Sequence, residues 1–271
     1  MRRFIKLFLL LSLWVIVSLG CDNTSEVIVG PGGDSINTVI NLEVFENTNA
    51  GLTNLELRCQ TDSIFGCINY MIDFDLTVTS DTVALKFIKI VKPNIFQTAL
   101  GPATAIVNLG TPANIAYKFP LTVNSLTLPA QLILTDSTIE ITGGDSIWTD
   151  VVRPVLYRVP ANTIWGEVGY NDPLLRDSAL TFFDSLASLG ATPDTLSTGH
   201  YGYFFIDSSS AIDSILGLGP SIGTDSVFSY IYDYTIDTTA LSNLVQAYQN
   251  QAGNLVKVNI NTSDGYLFRS Y

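Results

Sequence analysis

Ile68-Asn69-Tyr70-Met71-Ile72-Asp73-Phe74-Asp75-Leu76-Thr77-Val78 alternates apolar and polar positions with one exception, Met71. A period of two puts Ile68, Tyr70, Ile72, Phe74, Leu76 and Val78 on one face of a β-strand and the aspartates on the other. Ser80-Asp81 then turns the chain, and Thr82 to Val91 returns with Val83, Leu85, Phe87 and Val91 on one face. Outward from this pair, strand-like segments recur at 38–46, 53–59, 104–109, 113–119, 121–127, 131–135, 138–142 and 151–159. Many short strands separated by turns predict an antiparallel, immunoglobulin-like β-sandwich over residues 38–160.

The pattern changes after Pro160. Thr163 to Tyr170 reads as a strand, and Asp172-Pro173 caps a helix with proline at its first position. Leu175, Phe182, Leu186 and Leu189 share one face of that helix, and Gly190 stops it. Tyr201 to Ile206 reads as a strand, Ala211 to Leu216 as a short helix, and Val227 to Ile236 as a strand. Asp237 caps a helix with Leu241, Leu244, Val245 and Tyr248 inward and Gly253 at its end. Leu255 to Asn261 is a strand, and Asp264-Gly265 turns into a last short one. The order β-α-β-β-α-β predicts a ferredoxin-like domain over 161–271, a four-stranded antiparallel sheet with two helices on one face. The expected fold class is therefore mainly β, then α+β.

Composition narrows the function. Lys plus Arg total 13 against 25 Asp plus Glu in 271 residues. The first 20 residues hold Arg2, Arg3 and Lys6 and no acid, so removing them leaves 10 bases, 25 acids and a formal charge of −15. Nucleic-acid binding needs clustered bases to neutralise phosphates, so no nucleic-acid partner is expected. One histidine and three cysteines leave most zinc, haem and iron–sulfur sites short of ligands, and no cofactor is expected.

Residues 1–20 read as a signal peptide: a basic start, then 11 apolar residues of 13 from Leu7 to Leu19. That run is short for a membrane span, which needs about 20 apolar residues. Ser18-Leu19-Gly20-Cys21 resembles the lipobox of bacterial lipoproteins. The resemblance implies cleavage before Cys21 and acylation of its thiol, so that the chain is held to a membrane through its N-terminal lipid. The expected location is the cell envelope, at the outer membrane, on its periplasmic or surface face. Residues 21–37 read as a flexible tether. Gly101-Pro102-Ala103-Thr104-Ala105 and Thr163-Ile164-Trp165-Gly166-Glu167-Val168-Gly169-Tyr170 are similar to motifs of an uncharacterised family of exported Bacteroidota proteins, which implies architecture and no activity.

Cys59 and Cys67 lie eight apart, with Gly66 between them, and in an oxidising compartment a local disulfide is expected. Twelve of the 19 aspartates are followed directly by Ser or Thr, and in eleven of the twelve the next residue is Ala, Ile, Leu, Val or Thr. This resembles the Asp-Ser/Thr-apolar sequon for O-glycosylation of exported Bacteroidota proteins. Turn and cap chemistry explains the same pattern, because Asp and Ser accept backbone N–H bonds where an element begins.

Few residues suggest chemistry. Gly219-Pro220-Ser221-Ile222-Gly223 fits the nucleophile-elbow string, but His200 precedes the serine and a turn follows it, so a loop is expected. His200 opens an aromatic strand and reads as a strand-edge residue, and Asp73 and Asp75 read as a solvated face. Phe228, Tyr230, Tyr232 and Tyr234 recur at period two on one strand. On an open sheet face they would stack on a sugar or dock a partner, and otherwise they pack against the helices or the other domain. The expected function is a non-enzymatic binding or envelope-interaction module for a glycan, peptide or envelope protein. The alternatives are a carboxylate-only enzyme such as a glycoside hydrolase, and an inhibitor or propeptide-like module.

Overall fold

The computed structural model describes residues 35–271 apart from 93–96, 98, 216–222, 236 and 252–254. The expected lipid site Cys21, Ser221 of the elbow string and the helix stop Gly253 lie outside the described residues. The protein is mainly β.

The first part is built from β1 (Ile40–Asn49), β2 (Leu52–Phe65), β3 (Met71–Val78), β4 (Val83–Val91), β5 (Gly101–Gly110) and β6 (Ala116–Lys118). It continues with β7 (Leu121–Val123), β8 (Leu126–Leu128), β9 (Ala130–Leu134), β10 (Thr138–Gly143), β11 (Thr149–Arg153) and β12 (Val155–Tyr157). One sheet has the order β11-β1-β2-β5-β3-β4-β7-β8 and the other β12-β10-β9-β6. The alternating positions of both sheets meet in one core: Ile40 and Leu42 of β1 and Leu85 and Phe87 of β4 cluster with Leu132, Ile139 and Leu156 of the smaller sheet. Each side chain of that size contributes about 1.5–3 kcal/mol when fully buried.

The expected all-antiparallel pairing is not what forms. β1 runs parallel to β11, β3 to β5 and β4 to β7. The reason is connectivity. The chain visits the smaller sheet between β1 and β11 and between β4 and β7, and β4 intervenes between β3 and β5, so each parallel pair is joined by a crossover and not by a hairpin. The tether also ends earlier than residue 37. Ile36 is fully buried, its N–H donates to Asn124 Oδ1 (2.9 Å), and its carbonyl accepts from Asn124 Nδ2 (3.0 Å).

The expected Cys59–Cys67 bridge does not form, because Cys59 is a free, buried thiol. Its neighbourhood explains this. β2 continues for 14 residues through Phe65. Cys59 and Phe65 lie opposite Ala105 and Gly101 of β5, four strand residues or roughly 13 Å apart, against the 7 Å or less that a disulfide tolerates. Cys59 faces the sandwich core, where burial pushes its thiol pKa far up.

The second part contains β13 (Thr163–Tyr170), a 3-10 turn (Pro173–Leu175), α1 (Arg176–Ser188) and β14 (Thr192–Pro193). A small sheet of β15 (Gly199–His200), β16 (Phe204–Ile206) and β17 (Ile212–Ile215) follows. Then come β18 (Ser226–Asp233), α2 (Thr238–Gln249), β19 (Val256–Thr262) and β20 (Leu267–Arg269). The larger sheet has the order β14-β18-β13-β19-β20. Local chemistry sets the ends of the helical segments. Asp172 accepts from Leu174 N–H and Asp237 from Thr239 N–H, each at 2.9 Å, while Gly190 leaves α1 at φ +95°.

Two segments differ from expectation. Tyr201–Ile206 does not join the larger sheet, because Thr192–Pro193 already pairs with the edge of β18. Instead Tyr201, Phe204 and Ile206 cluster with Trp165 and Ile231 on the sheet face away from the helices. The segment expected as a helix from Ala211 is strand β17. Asp207 Oδ1 accepts from Ser209 N–H (2.8 Å) and Ala211 N–H (3.1 Å), which closes a turn and lets Ile212 pair with Ile206.

Candidate functional site

The aromatic row of β18 points at the helices. Phe183 of α1 stacks on Tyr232 (6.2 Å between centroids) and meets Tyr230 edge-on (5.7 Å). Phe182 packs on Tyr230 at 5.5 Å, and Phe228 lies 5.8 Å from Tyr170. Tyr230 and Tyr234 are buried and Phe228 and Tyr232 partly so, all in the core under the two helices. Phe228, Tyr230 and Tyr232 are therefore part of a packed interior, while Tyr234, just beyond the end of β18, also borders the cleft described below. The Tyr230 hydroxyl crosses over β13 and donates to the Asn259 carbonyl (2.9 Å). Gly166 makes that crossing fit: a Cβ there would collide with the Asn259 carbonyl oxygen and come within 2.9 Å of the Tyr230 hydroxyl.

The other residues singled out above fall at separate places. On β3, Asp73 is in register with Lys89 and Asp75 with Lys86, a cross-strand charge ladder. His200 is buried where the two parts meet, its Nε2 3.9 Å from Glu43 Oε1, with Arg153 also paired to Glu43. Five of the Asp-Ser/Thr aspartates make local turn or cap bonds through their carboxylates: Asp81, Asp145, Asp194, Asp207 and Asp237.

Of the singled-out aromatic row, the structure brings Tyr234 alone together with a different set of residues. The tip of the β1–β2 hairpin turns through Ala50 and Gly51, both at positive φ, as a two-residue hairpin loop requires. Gly51 N–H donates to the Asp264 carbonyl (2.6 Å), Thr48 N–H to the Tyr203 hydroxyl (2.9 Å), and Phe45 meets Tyr203 edge-on at 5.0 Å. Beside this seam lies a cleft of about 450 Å³. The sandwich supplies Glu46, Thr53, Asp136 and Arg158 to it, and the second part supplies Trp165, Tyr201, Tyr203, Tyr234 and Asp264.

The cleft is rigid where it is charged. Arg158 donates from Nε (2.9 Å) and Nη2 (2.6 Å) to Glu46, and from Nη1 to Asn114 Oδ1 (3.1 Å) and the Thr135 carbonyl (3.0 Å). Asp136 accepts from Asn114 Nδ2 (2.6 Å). Tyr234 donates to Asp264 Oδ1 (3.0 Å), which also accepts from Thr262 Oγ1. Burial first, and then the Asp264 carboxylate, push the Tyr234 phenol up to about 12, so it remains a donor at neutral pH. Sequence periodicity could not reveal this site, because its residues come from separate segments spread between Glu46 and Asp264. The local signals were Ala50-Gly51, a turn pair after an alternating strand, and Tyr234, the last residue of the aromatic row.

Comparisons with family models, with curated proteins and with solved structures found no match.

Proposed function

We propose that the chain from Cys21 onward is a lipid-anchored, extracytoplasmic binding protein without catalytic activity, and that its ligand sits in the cleft between its two parts. The partner would be a glycan, a peptide or an envelope protein, with the membrane engaged only through the lipid. The observation that carries this reading is the cleft itself: a cavity of ligand size, walled by residues of both parts, with aromatic edges and side-chain oxygens on one surface. Its charged groups are already committed to internal hydrogen bonds, as with Glu46 to Arg158 and Asp264 to Tyr234. Such groups hold a shape and orient a ligand, whereas general acid–base work needs a carboxyl free to exchange a proton.

The finer fold reading belongs here too. We read the first part as an immunoglobulin-like sandwich and the second as a ferredoxin-like domain with an inserted small sheet. The ferredoxin-like reading is supported by the strand order β14-β18-β13-β19 and by both helices packing on one face. Exposed hydroxyls at Ser137, Ser146 and Ser178 fit sugar attachment at Asp-Ser sites.

The test is a blocking substitution. Thr53→Trp fills the cleft mouth, and binding of the full chain to a glycan panel, a peptide panel and envelope extract is compared with the parent. Loss of a parental ligand in the variant supports the reading. If every ligand of the parent binds the variant equally well, the reading fails.

A further inference from the structure

The sheet face away from the helices is only half covered. Trp165 of β13 is closed over by Phe204 (5.3 Å) and Tyr203 (5.5 Å). Two residues on, the same face carries Glu167, and the character changes. Glu167 stands in register with Ser229 on one side and Asn259 on the other, and Asn259 with Arg269. Cross-strand partners share a face, so Ser229, Glu167, Asn259 and Arg269 form one polar line across four strands. The rim is open: Ser229 is exposed and Val227 is 44% exposed.

Three polar atoms on this face have no partner although they are shielded from solvent: Asn259 Oδ1, Arg269 Nε and the Tyr271 hydroxyl. Asn259 is only 7% exposed. Leaving a buried donor or acceptor unpaired costs about 1–3 kcal/mol, and native proteins rarely hold several in one place. Among the described residues neither Glu167 nor Arg269 belongs to an ion pair. The two are separated by β19, which puts their backbones about 10 Å apart at the usual strand spacing. Burial raises the Glu167 carboxyl above the ordinary range.

The chemistry of these loose ends selects a ligand class. The set contains an unpaired acceptor (Asn259 Oδ1), an unpaired donor (Arg269 Nε–H) and a hydroxyl able to do both. Lys257, 5.7 Å from the Tyr271 ring, lies on the same face, but a phosphate only accepts and would leave the Asn259 Oδ1 acceptor unanswered beside Glu167. An ammonium only donates, and Arg269 would repel it. Neighbouring hydroxyls of an uncharged ring donate and accept at adjacent atoms and suffer neither repulsion. We propose that this half of the helix-free face, framed by Glu167, Asn259, Arg269 and Tyr271, binds a neutral sugar ring. The site is separate from the cleft and does not depend on the cleft being occupied.

Saturation-transfer NMR on the full chain in detergent tests it, with neutral pyranose mono- and disaccharides as probes and inorganic phosphate and ethylammonium as charged comparators. The expected result is transfer to at least one neutral sugar and to neither charged probe. Glu167→Gln and Arg269→Gln should each weaken that sugar at least tenfold, whereas Thr53→Trp at the cleft should leave it unchanged. Ser229→Trp, which blocks the exposed rim without touching a buried group, should abolish the signal even if the other variants fold poorly. No transfer to any neutral sugar, transfer to phosphate or ethylammonium, or sugar binding that survives Ser229→Trp would each overturn the proposal.

Discussion

The two faces of the β14-β18-β13-β19-β20 sheet share a backbone and differ in almost everything else. On the helix side, Ile164, Val168, Tyr230, Val258 and Ile260 pack under Phe182, Leu186, Leu241 and Val245 as one closed core. On the other side, a small aromatic cluster around Trp165 and Phe204 covers one end, and a polar line through Glu167 and Asn259 occupies the next turn of the pleat. The first face has apolar contacts and satisfied hydroxyls, as with Tyr230 on Asn259. The second leaves Asn259 Oδ1 and Arg269 Nε without partners. One sheet can thus carry a closed apolar core on one face and a polar line on the other, because successive side chains project to opposite sides.

The largest expected effect breaks the closed face. Gly166→Ala sets a methyl group against the Asn259 carbonyl, and the backbone cannot move away without parting β13 from β19. Denaturant unfolding should show a loss of about 3 kcal/mol or more, at the upper end of overpacking penalties. A loss below about 1 kcal/mol would mean that Gly166 is not a pinch point. Next, Tyr230→Phe keeps the ring packing on Phe182 and removes only the hydrogen bond to Asn259. That should cost about 1–2 kcal/mol, since a buried carbonyl loses its donor, and a ligand panel should be indifferent to it. Altered binding in this variant would return the aromatic row to the list of recognition surfaces.

A third experiment sharpens the contrast at the seam between the two parts. His200 is buried with Nδ1 unpaired, and burial lowers its pKa below 6.5, helped by Arg153 and opposed by Glu43. A depressed folded-state pKa gives stability that is present above the unfolded value and is lost as pH falls through the folded one. Melting temperature should therefore drop between pH 7 and pH 5, and His200→Leu should flatten that drop. An equal pH dependence in both proteins would remove His200 as its cause. The smallest effect is expected on the outer strand pair: Lys86→Ala opposite Asp75 should change stability by less than about 0.5 kcal/mol, as exposed charge pairs usually do.

Much of the architecture was legible because short-range chemistry repeats. Alternation marked β4 through Val83, Leu85 and Phe87, and each of these is buried. Asp172 and Asp237 announced the two helical starts and do accept the expected N–H bonds. Other features were illegible for definite reasons. Val227, Ser229 and Ile231 alternate with Phe228, Tyr230 and Tyr232 equally well in both directions, so periodicity defines two faces and does not say which one is covered. Cys59 and Cys67 are close in sequence, yet Cys59 is committed to the sandwich core in mid-strand while Cys67 follows the end of β2. Ala211 to Ile215 has helix-compatible composition, and its pairing with β16 overrode that weak preference.

By itself the sequence determined where the two long helices and many of the strands begin and which positions share a side, because these depend on neighbours a few residues away, and it set the acidic charge balance. Only the tertiary structure decided that helices cover the tyrosines, that Cys59 stays a free thiol, and that Glu46, Arg158 and Asp264 border one cleft. Those outcomes rest on contacts between segments far apart along the chain. A period of two or of 3.6 carries no information about which distant surface will arrive.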